Sequence, residues 1–113
     1  LEDLVSNTAN LSAIVAACHS GDLGLMARCV PDRVVTPVRA KLIPGCREVI
    51  EAALDAGALG SSISGSGPSI FALCRSLRSG RHVAGKMSSA FERAGVSSQS
   101  VISPADCPGA RKL

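Results

Sequence analysis

Apolar residues in the N-terminal part of the chain recur at helical spacing. Leu4, Leu11, Ile14 and Cys18 fall close together on a helical wheel and Gly21 follows as a stop, which predicts a helix from Leu4 to Cys18. Asp22 is suited to cap a short second helix over Leu23 to Val30, ended by Pro31, so the two read as an αα-hairpin. The pattern then breaks in "RVVTPVRAKLIPG", residues 33–45. Pro37 and Pro44 bias Thr36 and Ile43 toward extended backbone, so this segment reads as an ordered, irregular crossing and not as a helix. Helical spacing returns from Cys46 to Ala56, with Val49, Ile50, Ala53 and Leu54 on the inner face.

After that helix the period changes. Leu59, Ser61 and Ile63 alternate with smaller residues, as in a short strand, and "SIFALC" (Ser69 to Cys74) is continuously apolar, as in a central strand. Ser64-Gly65-Ser66-Gly67-Pro68 lies between them. A loop over Ser76 to Gly80 precedes another helix, marked by Val83, Met87, Ala90, Phe91 and Ala94 and stopped by Gly95. A last strand is expected over Val96 to Ile102, before the turn-rich tail "SPADCPGARKL". No internal repeat or long linker divides the chain. The order of elements predicts an α+β fold, a two-layer sandwich in which helices cover one face of a small antiparallel sheet.

Composition narrows the function. A chain of 113 residues fits one small domain and by surface scaling buries roughly two-thirds of its unfolded surface. Phe71 and Phe91 are the only aromatic residues, so the core must be built from Ala, Val, Ile and Leu. Single-stranded nucleic-acid binders stack bases on aromatic platforms; with only two aromatic residues, and with the net charge of +3 scattered along the chain, no nucleic-acid partner is expected. No apolar run has the length of a membrane span, so no membrane partner is expected either. Cys18, Cys29, Cys46, Cys74 and Cys107 are odd in number and share no CxxC spacing, which reads as reduced thiol in a cytoplasmic protein. His19 and His82 stand apart from any second ligand, so no metal site is expected. The chain starts at Leu1 without Met, as an excised piece of a longer protein would.

The glycine-rich stretch invites comparison with phosphate loops, in which glycines let the backbone approach an anion and turn successive N–H groups toward it. A Walker A loop requires Lys after its second glycine, whereas Ser66 follows Gly65. The dinucleotide fingerprint lacks its third glycine, at Ile70. What remains is a Gly-x-Gly-Pro turn between two strands.

Three segments taken together carry a resemblance: "DRVVTPVRAKLIPG" (Asp32 to Gly45), "AALDAGALGSSISGSGPSIFAL" (Ala52 to Leu73) and the closing "GARKL" (Gly109 to Leu113). Over essentially its whole length the chain resembles the C-terminal domain of the homoserine kinases, members of the GHMP small-molecule kinase superfamily. Ser-Gly-x-Gly-Pro is shared across the superfamily; V-x-P-x-R-x-x-L-I-P-G is more specific to the homoserine kinases. Leu59-Gly60-Ser61-Ser62 imitates the superfamily's ATP-phosphate loop, P-x-x-x-G-L-G-S-S, but Ala58 stands at its first glycine and Leu54 at its proline. The matching motif is therefore the superfamily's third, Ser64, Gly65, Ser66, Gly67 and Pro68. The resemblance implies that this turn faces the active-site cleft and supports a phosphate loop supplied by the other domain. Most relatives carry Ala where this chain has Ser66.

A guanidinium in a proline-flanked loop suits bidentate capture of a carboxylate, which singles out Arg39. The resemblance implies the same role: Arg39 binds the carboxylate of L-homoserine, and Gly65 touches the substrate through its backbone. Asn7, on the first helix, is a weaker candidate. The chain has no ATP-phosphate loop, no acidic cluster for Mg²⁺ and no paired general base. The resemblance assigns ATP and Mg²⁺ to an N-terminal domain that this chain lacks, and implies transfer of the ATP γ-phosphate to the homoserine hydroxyl in threonine biosynthesis. No catalytic residue is assigned here, and the chain alone is expected to be inactive. Open alternatives are another GHMP kinase, such as a mevalonate-pathway enzyme, a non-catalytic anion-binding α+β module, and a subunit-interface element forming a homodimer through exposed apolar helix faces.

Overall fold

The computed structural model describes residues 1–106 together with Pro108, Ala110 and Lys112. Gly109, Arg111 and Leu113 of the closing motif, and Cys107, lie outside the described residues. Helix α1 (Glu2–Ser20) ends where Gly21 takes a left-handed conformation, φ 70°, and donates its N–H to the Ala17 carbonyl. Helix α2 (Leu23–Cys29) is capped by Asp22, whose side chain accepts from the Leu25 N–H at 2.9 Å. These two helices pack as the expected hairpin.

The face of α1 that meets the body is not the stripe singled out by spacing. Ala17 is buried and Asn7, Asn10, Ala13 and Ile14 are half-buried, whereas Leu4 and Leu11 are 59% and 65% exposed. Cys18 is exposed as well. Small and amide side chains allow α1 to approach α2 and the loop after it, and the larger aliphatic residues are left outward.

The crossing segment also departs from expectation. Thr36–Arg39 forms one turn of helix, α3, which runs into a 3₁₀ turn over Ala40–Leu42. Pro37 stands in the first turn, where its missing N–H is not needed, so it starts the helix instead of extending the chain. Ile43, before Pro44, is extended as expected, with φ −115° and ψ 106°. Helix α4 (Cys46–Asp55) buries Cys46, Val49 and Ala53, but Leu54 faces solvent.

Strands β1 (Gly60–Ile63) and β2 (Ile70–Leu73) form a two-stranded antiparallel sheet in the register Gly60↔Leu73, Ser61↔Ala72, Ser62↔Phe71 and Ile63↔Ile70. All of β1 is buried, without the alternation its sequence suggests, because α2 and α4 both pack on it. β2 is half-exposed and has no second strand beside it among the described residues, so it is not a central strand. The expected strand over Val96–Ile102 does not form. Its middle is Ser97-Ser98-Gln99-Ser100 and Val101 is 91% exposed, which leaves too little apolar surface to hold it on the sheet. Helix α5 (Leu77–Arg93) begins inside the segment read as a loop. Ser76 and Ser79 form a reciprocal capping box, a start signal that outweighs the local polarity.

Helices α4 and α5 pack together, and the sheet joins them in an α+β arrangement. Ala40, Ile43, Cys46 and Ile63 form a buried cluster, with Ile50 and Ile70 against it. Ile63 and Ile70 also flank the glycine-rich turn, so this cluster ties the crossing segment to the base of that turn.

Candidate functional site

The turn from Ser64 to Pro68 is closed by backbone bonds from Ser64 N–H to the Ser69 carbonyl, 2.8 Å, and from Gly67 N–H to the Ser64 carbonyl, 3.0 Å. Gly65 and Gly67 have φ values of 59° and 79°, in the left-handed region that glycine enters without steric cost, and the Gly67–Pro68 bond is cis. Gly67 also lies close against the core: a Cβ there would stand 2.6 Å from Ile43 Cδ1. No partner among the described residues takes the N–H of Gly65 or of Ser66.

Arg39 meets this turn. Its Nε donates to the Ser66 carbonyl at 2.9 Å across a separation of 27 residues, so the two sequence-predicted motifs converge on one place. Among the described residues nothing accepts from the terminal amino groups of Arg39. The turn and the guanidinium thus present N–H donors with no counter-charge bonded to them, a setting that favours an anion. Ser66 takes part through its carbonyl; its hydroxyl has no partner among the described residues.

Asp32 organises the approach to Arg39, and sequence reasoning did not single it out. Its Oδ1 accepts from Asn7 Nδ2 at 2.6 Å and from the N–H groups of Val34 and Val35 at 3.0 and 3.2 Å, and its Oδ2 accepts from the Thr36 N–H. Partial burial opposes its ionisation, but the donors from Asn7, from the backbone of Thr36 and Val34 and from the Thr36 hydroxyl outweigh it and hold the carboxyl well below the usual range. Thr36 is tied in turn to β1, its Oγ1 sharing a hydrogen bond of 3.1 Å with the buried Ser62 hydroxyl. Asn7 completes the clasp by accepting from the Arg33 N–H at 3.0 Å. Asn7 is therefore a joint between α1 and the crossing segment. An Asp four residues before a Thr-Pro helix start was the available signal.

Other candidates are not brought to this place. A cavity of about 640 Å³ opens between β2, α5 and residues 98–105, lined by Phe71, Leu73, Val83, Met87, Phe91 and Ile102, and neither Arg39 nor Ser64–Pro68 borders it. Burial pushes the Cys46 thiol up, with Glu48 adding to the effect and Arg47 opposing it; burial also raises Cys74. Neither is an activated nucleophile. Among the described residues no group of three or more His, Cys, Asp or Glu is placed to hold a metal ion. The N–H donors gathered around Arg39 suit an anionic group.

The family model for "GHMP kinases C terminal" matches residues 14–93. The chain belongs to this GHMP kinase family. This GHMP kinase domain is 41% identical over its whole length to a homoserine kinase from Xylella fastidiosa (strain 9a5c), of which it covers 35%. It is 47% identical over 90% of its length to one from Chlorobaculum tepidum, covering 32% of that protein. The crystal structure of homoserine kinase from Cytophaga hutchinsonii superposes with a TM-score of 0.79 at 44% identity, over 82% of this chain and 30% of that one. The domain spans about a third of the length of the curated relatives it matches. The fold expected from the resemblance, α+β with helices on a small antiparallel sheet, is borne out by this likeness.

Proposed function

We propose that this GHMP kinase domain is the C-terminal part of a homoserine kinase, which transfers the γ-phosphate of ATP to the hydroxyl of L-homoserine and yields O-phospho-L-homoserine. The observation that carries the reading is the bond from Arg39 Nε to the Ser66 carbonyl. It joins V-x-P-x-R to the superfamily's glycine turn and leaves the amino groups of Arg39 open to a carboxylate. In this reading Arg39 captures the homoserine carboxylate and the unpaired N–H of Gly65 lies along the substrate. Gly67 and Pro68 shape the turn, and Ser64 and Ser66 supply the carbonyls that hold it closed and fasten Arg39 to it. The turn supports the phosphates of ATP, bound with Mg²⁺ by an N-terminal domain of the same protein. In this reading the N-terminal domain supplies the phosphate loop and the Mg²⁺ site, the nearest match to P-x-x-x-G-L-G-S-S here having Leu54 at its proline and Ala58 at its first glycine. A cytoplasmic setting accords with the free thiols of Cys18, Cys29, Cys46 and Cys74.

A charge-assisted pair with a carboxylate contributes about 1.5–3 kcal/mol. In the complete enzyme, Arg39→Ala should raise KM for homoserine about ten-fold or more while leaving KM for ATP near its original value. An unchanged KM for homoserine would remove Arg39 from the site. A second role is favoured by the outward stripe of Leu4, Leu11 and Val15 on α1, which fits a covered surface, either against the remainder of the protein or in a homodimer.

A further inference from the structure

Among the described residues no hydrogen bond joins Asp32 to the glycine-rich turn, yet Asp32 governs the element that delivers Arg39 there. Helix α3 has four residues and ends at Arg39. So short a helix does not offset its own nucleation cost, and its place depends on what holds its ends. At the C-terminal end the hold is the bond from Arg39 to the Ser66 carbonyl. At the N-terminal end it is Asp32, which gathers the N–H groups of Val34, Val35 and Thr36 that would otherwise be left unpaired, Pro37 having none to offer. The same carboxylate is pinned from outside α3 by Asn7 on α1, and Thr36, whose N–H it accepts, is itself tied by its hydroxyl to Ser62 on β1.

We propose that Asp32 is a positioning residue for Arg39: fastened to α1 by Asn7 and to β1 through Thr36, it fixes the start of α3 so that the guanidinium at its end is held over the Ser64–Pro68 turn. The inference rests on the reading of Arg39 as the group that binds the substrate carboxylate. It gives the Asp32–Asn7 clasp a role in substrate affinity. A fork held in place loses less freedom on capturing a carboxylate than one that must first be ordered.

Steady-state kinetics on the complete enzyme test this, with homoserine and ATP varied separately for Arg39→Ala, Asp32→Asn and the double variant. Asp32→Asn should raise KM for homoserine about five-fold, with KM for ATP and kcat within about two-fold of the parent. Added to Arg39→Ala it should raise KM no further, because both changes act on one interaction. A general loss of structure would move KM for ATP and kcat as well. If Arg39→Ala raises KM but Asp32→Asn does not, or if the two effects multiply, the positioning role is overturned and the reading of Arg39 stands. If Arg39→Ala itself has no effect, both fall. Should Asp32→Asn fail to fold, Asn7→Ala, which removes a single donor from the carboxylate, decides by the same criteria with an expected rise of about two- to three-fold.

Discussion

At the scale of single residues, the ionised form of Asp32 is favoured by the fold, because its folded-state titration lies below the ordinary value of 3.8. The stability this brings is fully present above that ordinary value and is lost as pH falls below it. Urea unfolding of the parent and of Asp32→Asn should therefore show a stability gap that is flat between about pH 7 and pH 5 and narrows below about pH 4. A gap that persisted undiminished at about pH 3 would show that the loss comes from packing and not from charge. Arg39 was legible in the sequence from its proline-flanked setting. Asp32 was not, since a carboxylate near a helix start has many ordinary uses and only the meeting with Asn7, 25 residues away, shows this one.

At the scale of elements, the turn between β1 and β2 offers a contrast between two glycines. Both have positive φ, but a Cβ at Gly65 would meet nothing within 4 Å while one at Gly67 would collide with Ile43 Cδ1 and approach Ile63 Cγ2. Gly65→Ala should cost only the left-handed penalty of about 1–2 kcal/mol. Gly67→Ala should cost at least about 1 kcal/mol more, from overpacking the cluster beneath the turn. Thermal or urea unfolding of the two variants measures the difference, and equal losses would show that the turn is not seated on Ile43. Helices were the most legible elements, because their apolar spacing, caps and glycine stops are local. The segment from Arg33 to Gly45 was misread at Thr36 because a proline allows either an extended predecessor or a helix start, and Asp32 decides between them. The expected strand over Val96–Ile102 failed because Ser97-Ser98-Gln99-Ser100 leaves too little apolar surface to hold it on the sheet.

At the scale of the whole molecule, Leu4 and Leu11 stand in one outward stripe on α1, with Val15 beside them, and Val5 adds further exposed apolar surface. Relatives are about three times as long as this chain, and in the proposed reading the rest of the protein would cover surface of this kind. The isolated chain should self-associate, with a sedimentation coefficient that rises with concentration, and should form no O-phosphohomoserine from ATP and homoserine. Leu4→Glu with Leu11→Glu should return it to a monomer. A parent chain that stays monomeric at high concentration would remove the stripe as a contact surface, and product formation would overturn the assignment of the missing catalytic parts to another domain.

The sequence by itself determined the kinds and order of most elements and the glycine turn, because caps, stops, periodicity and motif spacing act over a few residues. The sequence stretch from Gly57 to Cys74 could be resolved into a strand, a turn and a strand on those grounds alone. Only the tertiary structure decided which face of α1 is buried, that Thr36 begins a helix, and that Arg39 reaches Ser66 while Asp32 is clasped by Asn7. Each of those outcomes is a contact between segments distant in the chain. Such contacts depend on which surfaces meet and which donors remain unpaired once the helices and sheet have packed, and no local pattern encodes that.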